Sequence, residues 1–223
     1  MKIYLVRHGE SESNAKGVRL GPVARLTDKG KEQASFLANR FENIPIDKVV
    51  SSSYIRAIET TEIINQKLGK EIIQSDLLVE RKNSTETIGL ANSDPLMQEV
   101  IKQSNLHLDD PNWHYSDEEN FHDQKERALK ALDFLKNLGG ENILVVSHGV
   151  FSRMMVSCAI FGSDLDLKTY WQIMSSLKTS NTGITILETN DSSSQIGKKT
   201  DWSLITWNDH AHLGEIRQYG QSY

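Results

Sequence analysis

The sequence predicts an α/β protein, a three-layer helix–sheet–helix sandwich with a mostly parallel central sheet and a small cap-like insertion at about residues 81–120. Three observations carry this. Short β-branched or aliphatic runs alternate with amphipathic stretches, the pattern of a parallel sheet wrapped by helices. Two of the apolar runs, "YLVRHG" and "VVSHG", end on His-Gly, as strands do when they deliver side chains to a crevice at their carboxyl ends. The chain has 223 residues, long enough to bury a sizeable core, and a single cysteine, Cys158, so no internal disulfide is available to staple it.

Residues 2–6 alternate and are rich in Ile, Tyr, Leu and Val, which predicts a first strand. Residues 9–26 are small and polar and predict a loop. Thr27 is the expected N-cap of a helix with Ala34, Leu37, Ala38 and Phe41 at helical spacing, and Pro45 ends that region. Asp47 to Ser51 predicts a second strand. Tyr54 to Leu68 predicts a helix with Ile58, Thr61, Ile64 and Leu68 on one face and Gly69 as its stop. Lys70 to Gln74 fits a third strand. The stretch 81–120 is irregular, with a short helix expected near Leu96–Gln103. A long amphipathic helix is expected over Asn120–Leu138, then a fully buried strand at Asn142–Ser147 and an apolar helix over Val150–Phe161, stopped by Gly162. "GITILET" and "WSLITWN" predict two late strands joined by an exposed loop at Asn190–Asp201. The whole, residues 1–223, reads as one domain.

Net charge is −5 with acids and bases interspersed, so no basic stripe marks a nucleic-acid surface. No apolar run approaches the ~20 residues of a membrane span. The N-terminal apolar run is too short for a secretory signal, and with one thiol the expected location is the cytoplasm. Cys158 lies on an apolar helix and reads as an inert core thiol.

The chemistry concentrates at three strand ends. Arg7 and His8 follow the first strand, Arg56 follows the second, and His148 follows the buried strand. Two guanidiniums stay charged and match phosphate oxygens with forked donors. Histidine can serve as nucleophile or hydrogen-bond donor near neutral pH. Together they describe a phosphoryl-transfer site in which arginines hold the oxygens and a neutral histidine attacks phosphorus. The histidines are not spaced as a zinc set, so neither metal nor other cofactor is expected.

The motifs in order resemble the histidine phosphatase superfamily, also called the phosphoglycerate mutase-like family. "RHGES", "RLTDKGKEQA", "SSSYIRAIETTEII", "LVERKN", "VVSHG" and "SNTGITIL" are similar to its successive motifs. The resemblance implies that His8 is the nucleophile, that Arg7, Arg56 and His148 surround the phosphoryl group, that Asn14 adds a hydrogen bond to it, and that Glu80 is the proton donor. After Glu80 the chain reads "ERKNSTETIG", without the first glycine and the tryptophan common in the family, which makes Glu86 the competitor for the acid. The segment after Asn14 is shorter than in the mutase branch. The implied activity is metal-independent phosphomonoester hydrolysis of a small phosphorylated substrate. A phosphoglycerate mutase and a non-catalytic phospho-ligand binder are the alternatives.

The remaining histidines read differently. His107, His114 and His122 are expected at the surface of the excursion. Trp113 and Tyr115 fit either a lid or a satellite core. Glu10 and Glu12 would repel a phosphate and are expected to hold neighbours or face water. "WNDHAHL" is unusual in placing His210 and His212 after a strand; capping and packing are the expected roles, with His212 a candidate for the pocket rim.

Overall fold

The computed structural model describes residues 1–189 and 200–214. Among the described residues one six-stranded sheet has the order β3-β2-β4-β1-β5-β6, built from β1 (Lys2–Arg7), β2 (Lys48–Ser52), β3 (Ile72–Ser75), β4 (Asn142–Ser147), β5 (Ile184–Thr189) and β6 (Trp202–Asp209). β3, β2, β4 and β1 run parallel, while β5 and β6 add antiparallel. The expected mostly parallel sheet is present.

Alternation along the central strands separates two cores. Ile3 and Leu5 of β1 and Ile143 and Val145 of β4 point to one face, against α5 (Phe121–Asn137) and α6 (Gly149–Phe161). Val6, Leu144 and Val146 point to the other, against α2 (Asp28–Phe41) and α3 (Ile55–Leu68). These residues are essentially inaccessible to water, so the sheet is apolar on both faces, as a helix-covered parallel sheet must be. Cys158 is part of the first core, where burial pushes its thiol up to about 12.

Local signals set the helix ends that matter for function. Thr27 caps α2 by accepting from Gly30 N at 3.0 Å. α3 closes on Gly69 in the left-handed region, φ 62°. Asn120 and Asp123 form a reciprocal capping box at the start of α5.

Three sequence expectations change. The loop at 9–26 contains a short helix, α1 (Glu12–Lys16), closed by a Ser11–Asn14 capping box and stopped by Gly17 at φ 61°; its polar composition hides it because none of its residues is buried. A helix at Pro95–Leu106, α4, exceeds the expected span because Asp94 caps it and Pro95 occupies its first turn. α7 (Leu167–Ser176) was not expected; it buries only Tyr170, so its apolar stripe is thin. The expected loop at Asn190–Asp201 lies, from 190 to 199, outside the described residues.

The 81–120 excursion is tied to the first strand's loop rather than hanging free. Arg19 N donates to Leu90 O at 3.2 Å and Gly89 N to Arg19 O at 2.7 Å, with Val18 bridging Ala91. The excursion therefore forms one wall of a cleft whose other wall is the segment 13–22. Among the described residues no helix is long and apolar enough to cross a membrane.

Candidate active site

β1 and β4 are paired so that Arg7 stands opposite Ser147. Each strand's next residue is a histidine, so His8 and His148 lie side by side, ring centroids 5.1 Å apart. β2 flanks β4 on its other side and ends at Ser52, whose hydroxyl meets His148 Nε2 at 2.8 Å. α3 then begins directly after Tyr54 and points Arg56 back over the strand ends. The register of three parallel strands thus brings together residues separated by 140 positions of sequence.

His8 is 3% exposed and held at both nitrogens. Nδ1 lies 2.7 Å from Gly9 O, which can only accept, so Nδ1 carries the proton. Arg56 Nε, which can only donate, reaches Nε2 at 3.0 Å. Nε2 therefore holds the lone pair. Burial first, then the Arg56 and Arg7 charges, hold His8 well below the usual histidine range, so the ring is neutral at pH 7. His148 is neutral for the same reasons, burial leading, with Arg56, His8 and Arg7 following. Its buried Nδ1 has no partner among the described residues.

Backbone carbonyls help anchor both arginines. Arg7 Nη1 donates to Thr179 O at 2.6 Å, and Arg56 Nη1 to Gly21 O at 2.8 Å. Arg7 lies against Gly149, where a Cβ would come within 3.2 Å of its Nε. Burial lowers Arg7 to about 10, partly offset by Glu80, so the guanidinium stays charged. Arg56 is also lowered by burial, again with Glu80 opposing, and sits over the Tyr54 ring at 5.1 Å. Two guanidiniums beside two neutral imidazoles, with Glu80 an opposing charge for both, offer donors that match an anion's oxygens.

Glu80 sits at the N-terminus of α6. Its oxygens accept from Phe151 N at 2.9 Å, Val150 N at 3.2 Å and Arg81 N at 3.0 Å. The amides of Val150 and Phe151 are among the free ones of the first turn of α6. Glu80, Asn14, Tyr54 and Arg56 help line a cleft of about 700 Å³. Glu86 does not line it: exposed, it accepts from Tyr115 Oη at 3.3 Å and Ser116 Oγ at 3.0 Å. Asn14 Oδ1 is committed to Ser11 N at 3.2 Å and Asn181 Nδ2 at 3.3 Å. Among the described residues no group of His, Cys, Asp or Glu side chains forms a metal-binding cluster.

Sequence reasoning missed two supporting residues. Asn181 Nδ2 donates to His8 O at 2.9 Å, and Ser52 holds His148. Both stand in segments already singled out, "SNTGITIL" and "SSSYIR", but nothing in the order of residues says which side chain reaches the site. The acids Glu10 and Glu12 behave as expected. Glu10 pairs with Lys29 at 3.0 Å and accepts from Thr27 Oγ1 at 3.0 Å, and Glu12 accepts from Arg25 N at 3.4 Å. His107 stacks on Trp113 at 4.9 Å, a small aromatic cluster in the excursion.

The chain resembles proteins of known type along most of its length. Residues 3–201 match the histidine phosphatase superfamily (branch 1). The Photorhabdus laumondii protein named "Probable phosphoglycerate mutase GpmB" is 33% identical over 153 residues, 67% of this chain and 70% of its own. The alpha-ribazole phosphatase of Shigella flexneri superposes with a TM-score of 0.76 at 21% identity, covering 94% of this chain and 97% of that one. A mycobacterial glucosyl-3-phosphoglycerate phosphatase superposes with a TM-score of 0.75 at 18% identity, covering 93% and 98%. Paired His-Gly strand ends, a shared sheet and a match over nearly the whole sequence lead to one statement: the chain belongs to the histidine phosphatase superfamily.

Proposed function

We propose that the protein hydrolyses small phosphomonoesters through a covalent phosphohistidine on Nε2 of His8, with residues 1–223 acting as one domain in the cytoplasm. The observation that carries this reading is the fixed tautomer of His8, which leaves the lone pair on Nε2, facing the Arg56 guanidinium. Arg7, Arg56, His148 and Asn14 surround the phosphoryl group. Arg56 turns its Nε–H from His8 to a phosphate oxygen as substrate enters, freeing the nucleophile. Nε2 then forms the N–P bond as the ester P–O bond breaks, and Glu80 gives a proton to the leaving oxygen. Water attacks phosphorus next. Glu80 takes its proton, the N–P bond breaks, and the electron pair returns to Nε2. The arginines supply the charge stabilisation, so the reading requires no metal and activity should survive chelation by EDTA.

The test is acid-quench trapping with a phosphate-labelled ester. Wild type should carry acid-labile label, and His8→Ala should carry none and turn nothing over. Label on His8→Ala would sink the assignment. A second reading, a phosphoglycerate mutase, is favoured by the similarity to the protein named GpmB. It predicts interconversion of 3- and 2-phosphoglycerate with little free phosphate, which a coupled assay on the same preparation separates from hydrolysis.

A further inference from the structure

The segment "WNDHAHL" has no part in the chemistry above, yet it touches the loop 178–183 at every turn. Trp207 Nε1 donates to Lys178 O at 2.9 Å. Asn208 Oδ1 accepts from Ser180 N at 2.7 Å, and its Nδ2 reaches Ser180 Oγ at 3.3 Å. Asp209 forms a two-pronged ion pair with Arg40 of α2. Arg40 Nη1 also meets His212 Nδ1 at 3.4 Å, and His212 Nε2 meets Thr182 Oγ1 at 3.0 Å. The proton positions follow from chemistry. The Thr182 hydroxyl donates to Asn181 O at 2.7 Å, so it must accept from His212 Nε2–H; Arg40 can only donate, so Nδ1 accepts.

The loop so held is the one that grips the first strand end. Thr182 N donates to Arg7 O at 2.8 Å, Arg7 N to Gly183 O at 3.3 Å, and Asn181 Nδ2 to His8 O at 2.9 Å. Thr182 is fully buried with φ 58°, a left-handed conformation that is strained for a β-branched residue and persists only when its surroundings over-determine it. Its backbone is bonded to β1 and its hydroxyl to His212. Gly183 lies so close to β6 that a Cβ there would come 2.1 Å from Asn208 Oδ1.

We infer that His212 is a positioning residue for the nucleophile: through Thr182 it locks the 180–183 loop, which sets where the backbone of Arg7 and His8 stands. The inference rests on the reading of His8 as the nucleophile, and its test includes an arm that does not. His212→Phe keeps a ring but removes both bonds. His212→Gln keeps a donor for Thr182. Thr182→Val removes the hydroxyl at constant shape.

His212→Phe and Thr182→Val should each lower kcat about ten- to hundredfold with KM little changed, as a misplaced reacting group does. His212→Gln should recover most of the loss. The double variant His212→Phe/Thr182→Val should be no worse than either single one, because both cut the same link. Independently of turnover, the Nδ1–H imidazole resonance of His8, followed by 15N NMR, should move in His212→Phe and Thr182→Val and return in His212→Gln. Wild-type kcat together with an unmoved His8 resonance in both variants overturns the inference. If wild type releases no phosphate from any ester, the hydrolase reading fails, and the resonance alone decides the positioning role. If His212→Phe does not fold, Thr182→Val decides in the same way.

Discussion

Arg56 hydrogen-bonds the atom proposed to attack. Its bonds to His8 and to Gly21 O are each of a kind an entering phosphate oxygen can match with a stronger, charge-assisted one. Removing it should cost transition-state stabilisation: Arg56→Ala should lower kcat/KM by about 10²–10³, the usual loss for one preorganised donor. The two candidate acids are separated by a single comparison. Glu80→Gln keeps the oxygen that accepts from α6 but has no proton to give, and should lower kcat by about 10²–10⁴ on esters with poor leaving groups. Glu86→Gln should match wild type, because Glu86 is exposed and faces Tyr115 and Ser116. Equal loss in the two variants would move the acid off Glu80.

At the scale of elements, the strand-end loop is built on contact between backbones. The N-terminus of α2 passes so close to the loop after β1 that a Cβ on Gly30 would lie 2.0 Å from Glu10 O, and one on Gly9 2.4 Å from Gly30 O. Neither backbone can yield without pulling α2 from the sheet or moving Gly9, whose carbonyl fixes the His8 tautomer. Gly30→Ala should therefore destabilise by about 1–3 kcal/mol or more, as overpacking does. Urea unfolding should show a lower midpoint with an unchanged slope. A wild-type midpoint would mean that the loop can relax, and that the close approach is not what holds His8. Paired His-Gly strand ends were legible in the sequence. The Gly9–Gly30 contact was not, because it depends on how a helix lies over a strand end.

At the scale of the whole molecule, neutral histidines, His8 and His148 buried and His212 half-buried, set an acid limit. His212 is lowered from 6.5 to about 4, by burial first, then by Arg40 from α2, with Asp209 opposing and His210 adding. Its unfolded form binds a proton as pH falls below about 6.5, while the folded form resists until about 4. The unfolded state thus gains protons first, so stability present at neutral pH is lost as pH drops through that window. His8 and His148, also depressed, act in the same direction. The Tm should fall steadily from pH 7 to pH 4, and His212→Gln should flatten part of that decline; a flat wild-type profile would contradict the neutral assignment. Anion binding works the other way. Phosphate at 100 times its Kd should raise stability by about 2.7 kcal/mol, and this gain should vanish in Arg56→Ala.

Order along the chain determined the strands and the main helices between them, the two His-Gly strand ends, the arginines after the first and second strands, and two candidate acids, Glu80 and Glu86. Those signals are local: periodicity, caps and short motifs need no knowledge of what packs beside them. Tertiary structure alone decided the strand order, the antiparallel sense of the last two strands, and the side-by-side placement of His8 and His148. It also placed Glu80 at the free amides of α6 and Glu86 against Tyr115 and Ser116. His212 is the clearest case. In sequence it is one histidine beyond a late strand; in space it reaches Arg40 and Thr182, 172 and 30 positions away, because β6 returns its end to the side of the sheet where β1 delivers Arg7 and His8.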